Sequence, residues 1–108
     1  MDERIKDQWV KALRSGEYIQ TRGELRACLT NNFCCLGVLC DIMKEEFGGE
    51  WEDGGCFIFQ GDLAGGDIPT DLRETIGLSY EDQEFLTVMN DDERSSFKEI
   101  ADHIEKEF

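Results

Sequence analysis

Apolar side chains recur at helical spacing at both ends of this chain, so a fold has to bring two amphipathic stripes against one interior. Near the start, Ile5, Trp9, Ala12 and Leu13 fall at i, i+4, i+7 and i+8 among charged residues, and Ser15-Gly16 supplies a stop. A helix is predicted over residues 2–14. At the end, Phe97, Ile100, Ala101, Ile104 and Phe108 recur at i, i+3, i+4, i+7 and i+11, and Ser96 with Glu99 forms a capping-box signature. Between them Leu36, Val38, Leu39, Ile42, Met43 and Phe47 make a broad apolar band closed by Gly48-Gly49, the pattern of a central, buried helix.

The remaining signals are shorter. Leu25 to Thr30 and Phe33 to Cys35 flank Asn31-Asn32, and Asn tolerates the positive φ of a two-residue hairpin turn. That register sets Cys28 opposite Cys35. Cys56 to Phe59 is a short strand candidate inside the Gly-rich stretch 51–66, which otherwise reads as an irregular loop. Pro69 opens a two-turn helix through Leu72 and Ile76, with Thr70 or Asp67 as cap and Gly77 as terminator. Phe85, Leu86, Val88 and Met89 form an apolar segment, helical or extended. The fold class that follows is α+β: a mainly helical single domain, residues 1–108, with a small antiparallel hairpin packed on two or three helices.

Charge is distributed unevenly along this scaffold. Of a net −14, residues 1–43 contribute nothing, with six acidic and six basic side chains, while residues 44–108 hold nineteen acidic and five basic ones. Folding does not require such a split, since net charge governs solubility and association. The acidity is not that of a disordered tail, because 40% hydrophobic residues, including seven Phe, two Trp and two Tyr, supply enough apolar surface to offset ordering entropy. Nucleic acid is excluded as a direct ligand, since phosphate recognition needs a basic footprint. No apolar run reaches signal-peptide or membrane-spanning length, which argues for a soluble cytoplasmic protein without membrane contact.

Chemistry-bearing motifs are few. Cys28, Cys34, Cys35, Cys40 and Cys56 are odd in number and lack paired Cys-x2-4-Cys knuckles, so reduced core thiols are expected rather than a disulfide framework or a zinc site. The only histidine, His103, lies on the flank of the last helix, poorly placed to activate a cysteine. The double glycines match no phosphate-cradling motif, and the acidic loops 50–54 and 90–93 do not follow the calcium-loop pattern. No metal, cofactor or catalytic residue is expected. Two binding readings stay open beside plain solubility. Carboxylates at Glu81, Asp91, Asp92, Glu93, Asp102 and Glu105 would present charge as a nucleic-acid backbone does and be steered to a basic groove, with Trp51 as aromatic anchor if exposed. Alternatively, Lys11, Tyr18, Arg22 and Arg26 would line a pocket for a small phosphorylated molecule. A thiol or metal enzyme is the third reading. Glu105 and Glu107 lie in the last helical turn, where the macrodipole disfavours anions, so local stability is not expected to have selected them.

Three stretches, Trp9 to Gln20, Phe33 to Asp41, and Met89-Asn90-Asp91 followed by Ser96 to Glu105, resemble a family of small proteins widespread in tailed phages and prophages. With Ile68-Pro69 and Ile76-Gly77-Leu78 the resemblance spans nearly the whole chain. One departure is Asp91 to Arg94, which fills the place of a looser, Gly-containing turn and would lengthen the last helix. The resemblance implies a setting, bacterial cytoplasm during phage infection, and no catalytic residues. By analogy with small phage proteins that act on host machinery, the expectation is a non-enzymatic inhibitor of a host nucleic-acid-handling or defence protein, its acidic surface laid in that protein's basic groove.

Overall fold

In a computed structural model describing residues 1–108, helix α1 spans Glu3–Arg14 and starts where Asp2 takes the amide protons of Arg4 and Ile5 on its carboxylate at 2.8 and 3.1 Å. Ile5, Trp9, Val10 and Leu13 face inward. The C-terminal helix, here α5 (Phe97–Glu107), carries both reciprocal bonds of its capping box and packs directly on α1. Helix α2 (Cys35–Phe47) crosses the middle, buried along most of its first half, and ends at Gly48, whose φ of 84° is the left-handed conformation suited to glycine. Trp9 Nε1 donates to the Cys35 carbonyl at 3.0 Å, which locks α1 to the first turn of α2. No helix is long and apolar enough to cross a membrane.

The hairpin forms in a different register from the expected one. Strands β1 (Arg26–Ala27) and β2 (Asn32–Phe33) pair antiparallel with Arg26 opposite Phe33 and Ala27 opposite Asn32, leaving a four-residue loop. Asn31 adopts the left-handed conformation (φ 59°), and its amide closes the loop on the Ala27 carbonyl at 2.7 Å. Cys28 and Cys35 therefore do not face each other. Cys34 is drawn off as the N-cap of α2 and Cys35 becomes its first residue, which ends β2 at Phe33. Cys28 is left exposed and Cys35 is fully buried.

Residues 50–64 hold more order than an irregular loop with one strand. Strands β3 (Glu50–Trp51), β4 (Phe57–Phe59) and β5 (Asp62–Ala64) make an antiparallel sheet in that order. Gln60 and Gly61 both have positive φ (52° and 86°), the two-residue turn whose twist matches its flanking strands. Strands of two or three residues are too short for alternation to be read from sequence. Helix α3 (Thr70–Ile76) starts behind Pro69, and neither Thr70 nor Asp67 caps it; Gly77 ends it at φ 78°. The segment left open is helical: α4 (Tyr80–Thr87), capped by Ser79, runs into a single π-helical turn at Val88–Asp92. The last helix is not lengthened. Arg94 takes φ 54°, the conformation of the expected Gly turn, and α5 begins only at Phe97.

Both sheets and all five helices share one hydrophobic core, so the architecture is α+β. Its closest backbone approach is at Gly37, where a Cβ would lie 1.9 Å from the Leu25 carbonyl oxygen. Gly37→Ala must push α2 away from the Leu25 backbone and is expected to cost more than about 3 kcal/mol. Gly16→Ala, with φ 80° and open space around it, is expected to cost only about 1–2 kcal/mol. Urea denaturation of both variants measures the difference.

Candidate functional site

The outward face of α4 gathers what the acidic segment has to offer. Ser79 Oγ accepts from the Asp82 amide at 3.0 Å and fixes the start, while Gln83 and Leu86 turn inward. The buried Gln83 carbonyl oxygen takes the Ile68 amide proton at 3.0 Å, which sets the rotation of α4 on the body. Glu81, Phe85, Val88 and Asp92 then fall at i, i+4, i+7 and i+11 along the outside, and each is exposed. Glu81, Asp92 and Glu93 form no ion pair.

The other carboxylates of the expected set hold the fold together. Asp91 Oδ1 accepts from the Gly23 amide at 3.0 Å and from Asn90 Nδ2 at 2.7 Å. Asp102 and Glu105 both bind the Arg14 guanidinium, at 2.7 and 3.0 Å, joining α5 to the end of α1. Those bonds hold the Glu105 carboxyl below its ordinary pKa. Glu105 is therefore positioned by a cation on the neighbouring helix, a tertiary contact that acts against the locally unfavourable macrodipole, while Glu107 in the same turn has no such partner. Trp51 is not an exposed anchor. It is half-buried, edge-on to Phe33 and Phe57 at 5.6 and 4.9 Å, with Nε1 donating to Asp41.

The four residues of the small-molecule reading do not converge, and no cavity is lined by more than one of them. Lys11 lies exposed on α1. Arg26 reaches Asn31 and the Glu52 carbonyl and covers the Trp51 ring at 5.7 Å. Arg22 Nη2 reaches the Arg94 carbonyl at 3.4 Å, and its Nε is buried without a partner. The Tyr18 hydroxyl donates to Asp41 at 2.6 Å.

Two polar centres escaped the sequence reading. Asp41, half-buried on α2, accepts from Tyr18, from Lys44 Nζ at 2.7 Å and from Trp51 Nε1 at 2.9 Å. Burial pushes its pKa up, but the bonds from Lys44, Tyr18 and Trp51 outweigh it and leave the carboxyl below its ordinary value. Burial and the bond to Asp41 raise the Tyr18 hydroxyl well above its ordinary pKa. Asn90 is the second centre and 1% exposed. Its Oδ1 accepts from Gln20 Nε2 at 2.8 Å and the Cys35 amide at 3.2 Å, and its Nδ2 donates to the Thr21 carbonyl at 3.0 Å. The one available signal for both was a polar residue interrupting or closing a strongly apolar segment: Asp41 within the helix band, and Asn90 directly after Val88-Met89.

The thiols are dispersed. Cys34 Sγ accepts from the Gly37 amide at 3.4 Å, and burial raises its pKa to about 12; burial likewise raises Cys35 and Cys40. No three His, Cys, Asp or Glu side chains converge as metal ligands would. His103 lies flat against Phe85, with ring centroids 4.7 Å apart and planes 17° from parallel.

A family model described as a domain of unknown function, DUF8296, matches residues 1–64, from α1 to the end of β5. No curated protein and no solved structure matches the chain. The matched part holds the hairpin, α2 with Asp41, and the three-stranded sheet; the face of α4 lies beyond it.

Asp41 has a folded pKa below its unfolded one, so it contributes stability that is complete above the unfolded value, about 3.9, and lost as pH falls through the lowered folded value. Stability of the wild type is therefore expected to fall more steeply below about pH 4 than that of Asp41→Asn, followed by urea midpoints from pH 7 downward. Asn90→Ala leaves the Cys35 amide, the Gln20 side-chain amide and the Thr21 carbonyl without the partner that Asn90 provides in the folded protein. A loss of about 2–4 kcal/mol in the same measurement is expected.

Proposed function

The chain belongs to the DUF8296 family, and from that premise we propose that it is a non-enzymatic binding protein that engages the basic nucleic-acid-binding groove of another protein through the acidic face of α4 and the turn after it. One observation carries this reading: Glu81 and Asp92 stand exposed and unpaired along the outward line of α4 and its turn, with exposed, unpaired Glu93 directly after them, whereas Asp91, Asp102 and Glu105 are held by intramolecular partners. Exposed carboxylates without a partner occur elsewhere on the molecule, Glu3, Asp7, Glu45 and Asp62 among them, but residues 80–92 concentrate Glu81, Asp82, Glu84, Asp91 and Asp92 with no basic residue between them. Such a face draws a basic partner by long-range steering and repels nucleic acid itself.

The resemblance to small phage proteins supports a setting in bacterial cytoplasm, with a host nucleic-acid-handling or defence protein as target. Binding there inhibits by occupancy, because a groove filled by carboxylates is closed to phosphates. The contact set is narrower than the sequence reading had it. Glu81, Asp92 and Glu93 bind the partner, while Asp91, Asp102 and Glu105 hold the scaffold that presents them.

Affinity capture from bacterial lysate tests the reading. The captured partner is expected to be lost as salt rises, to be displaced by DNA or RNA fragments, and to be lost in the triple variant Glu81→Lys, Asp92→Lys, Glu93→Lys, with folding checked by circular dichroism. Capture that persists unchanged in the folded triple variant would overturn it.

A further inference from the structure

The face of α4 carries more than charge. Tyr80, Phe85 and Val88 are 57%, 53% and 42% exposed, and Phe85 and Val88 stand in the line running from Glu81 to Asp92. An outward helix face that served only to keep the protein in solution would place polar groups at these positions. Phe85 is also fixed in place: its ring lies flat on His103, and His103 is edge-on to Phe108 at 6.0 Å. A partner meeting this ring loses little side-chain freedom in ordering it, which is what distinguishes an anchor from a merely exposed residue.

From this, and resting on the reading above, we infer that α4 and its π-helical turn bind an amphipathic helix of the partner, whose apolar stripe covers Phe85 and Val88 while flanking Lys or Arg side chains meet Glu81, Asp92 and Glu93. Charge decides among the occupants. Residues 80–92 include Glu81, Asp82, Glu84, Asp91 and Asp92 and no basic residue; Arg73 lies over Tyr80 at 5.8 Å and Arg94 follows the turn. The acidic rim repels nucleic acid, an anionic bilayer and, at a net charge of −14, a second copy of this chain. Shape favours a helix as well. The line from Glu81 to Asp92 covers about three turns, roughly 16 Å, the span over which two helices pack side by side.

Two synthetic probes separate the apolar contribution from the ionic one: an amphipathic helical peptide of Leu and Lys, and polylysine of the same charge. The Leu/Lys peptide is expected to perturb the NMR amide signals of residues 81–93 and to bind about tenfold less tightly to Phe85→Ser or Val88→Ser. Both residues are exposed, so the variants are expected to keep the wild-type fold, checked by thermal melting. Polylysine is expected to bind more weakly and to be indifferent to both substitutions. If the two probes bind alike, or the Leu/Lys peptide ignores Phe85 and Val88, the helix-docking inference falls. In that case, loss of both probes in the Glu81, Asp92, Glu93 lysine variant still upholds the acidic-face reading. Retention of both probes in that variant removes the reading as well.

Discussion

One buried amide ties together parts of this molecule that lie far apart in sequence. Asn90 joins the connection after α1 through Gln20 and Thr21, the first turn of α2 through the Cys35 amide, and its own π-helical turn through Asp91. Gln20 extends the junction to the Ser95 carbonyl just before α5. In water each of these bonds would exchange with solvent for little net gain, but in a closed interior every unpaired member costs its full desolvation, so the group forms as a unit. The π-helical turn belongs to this arrangement. With Glu93 N–H reaching back to the Val88 carbonyl, the wider turn sets Asn90 inward while Val88 and Asp92 stay outside.

The same geometry divides the acidic residues into two populations. Asp41, Asp91, Asp102 and Glu105 each accept from a donor on another part of the chain: Tyr18 and Trp51, Gly23, and Arg14. Each is held where it stands, and Arg14 supplies a counter-charge to Glu105 in the last turn of α5. Glu81, Asp92 and Glu93 have no such donors, and their charge is left to solvent. Net charge along the sequence could not separate the two groups. The positions of Arg14, Tyr18, Gly23 and Trp51, distant in sequence from the carboxylates they reach and adjacent in space, do so.

The long helices were legible because each advertises itself locally: the stripe of α1, the band of α2 and the capping box of α5 need no knowledge of what they pack against. The hairpin was misread for the opposite reason. Its register depended on Cys34 serving as the cap of α2, a competition between strand and helix that turn chemistry at Asn31-Asn32 does not record. The three-stranded sheet was missed because its strands are too short to show a period. Trp51 was singled out by residue type and proved to be half-buried against Phe33 and Phe57, whereas Phe85, read as part of an apolar segment, stands at the surface.

By itself, then, the sequence determined the fold class, the three principal helices, and a strongly acidic second half. These are local quantities, fixed by spacing, capping groups and side-chain charge within a few turns of one another. Tertiary structure decided the hairpin register, the inward rotation of Asn90, the pairing of Arg14 with Asp102 and Glu105, and hence which carboxylates and which aromatic ring remain available to a partner. Each of these depends on groups far apart in the chain competing for the same hydrogen bonds and the same buried space, a competition that closes only when the whole core is in place.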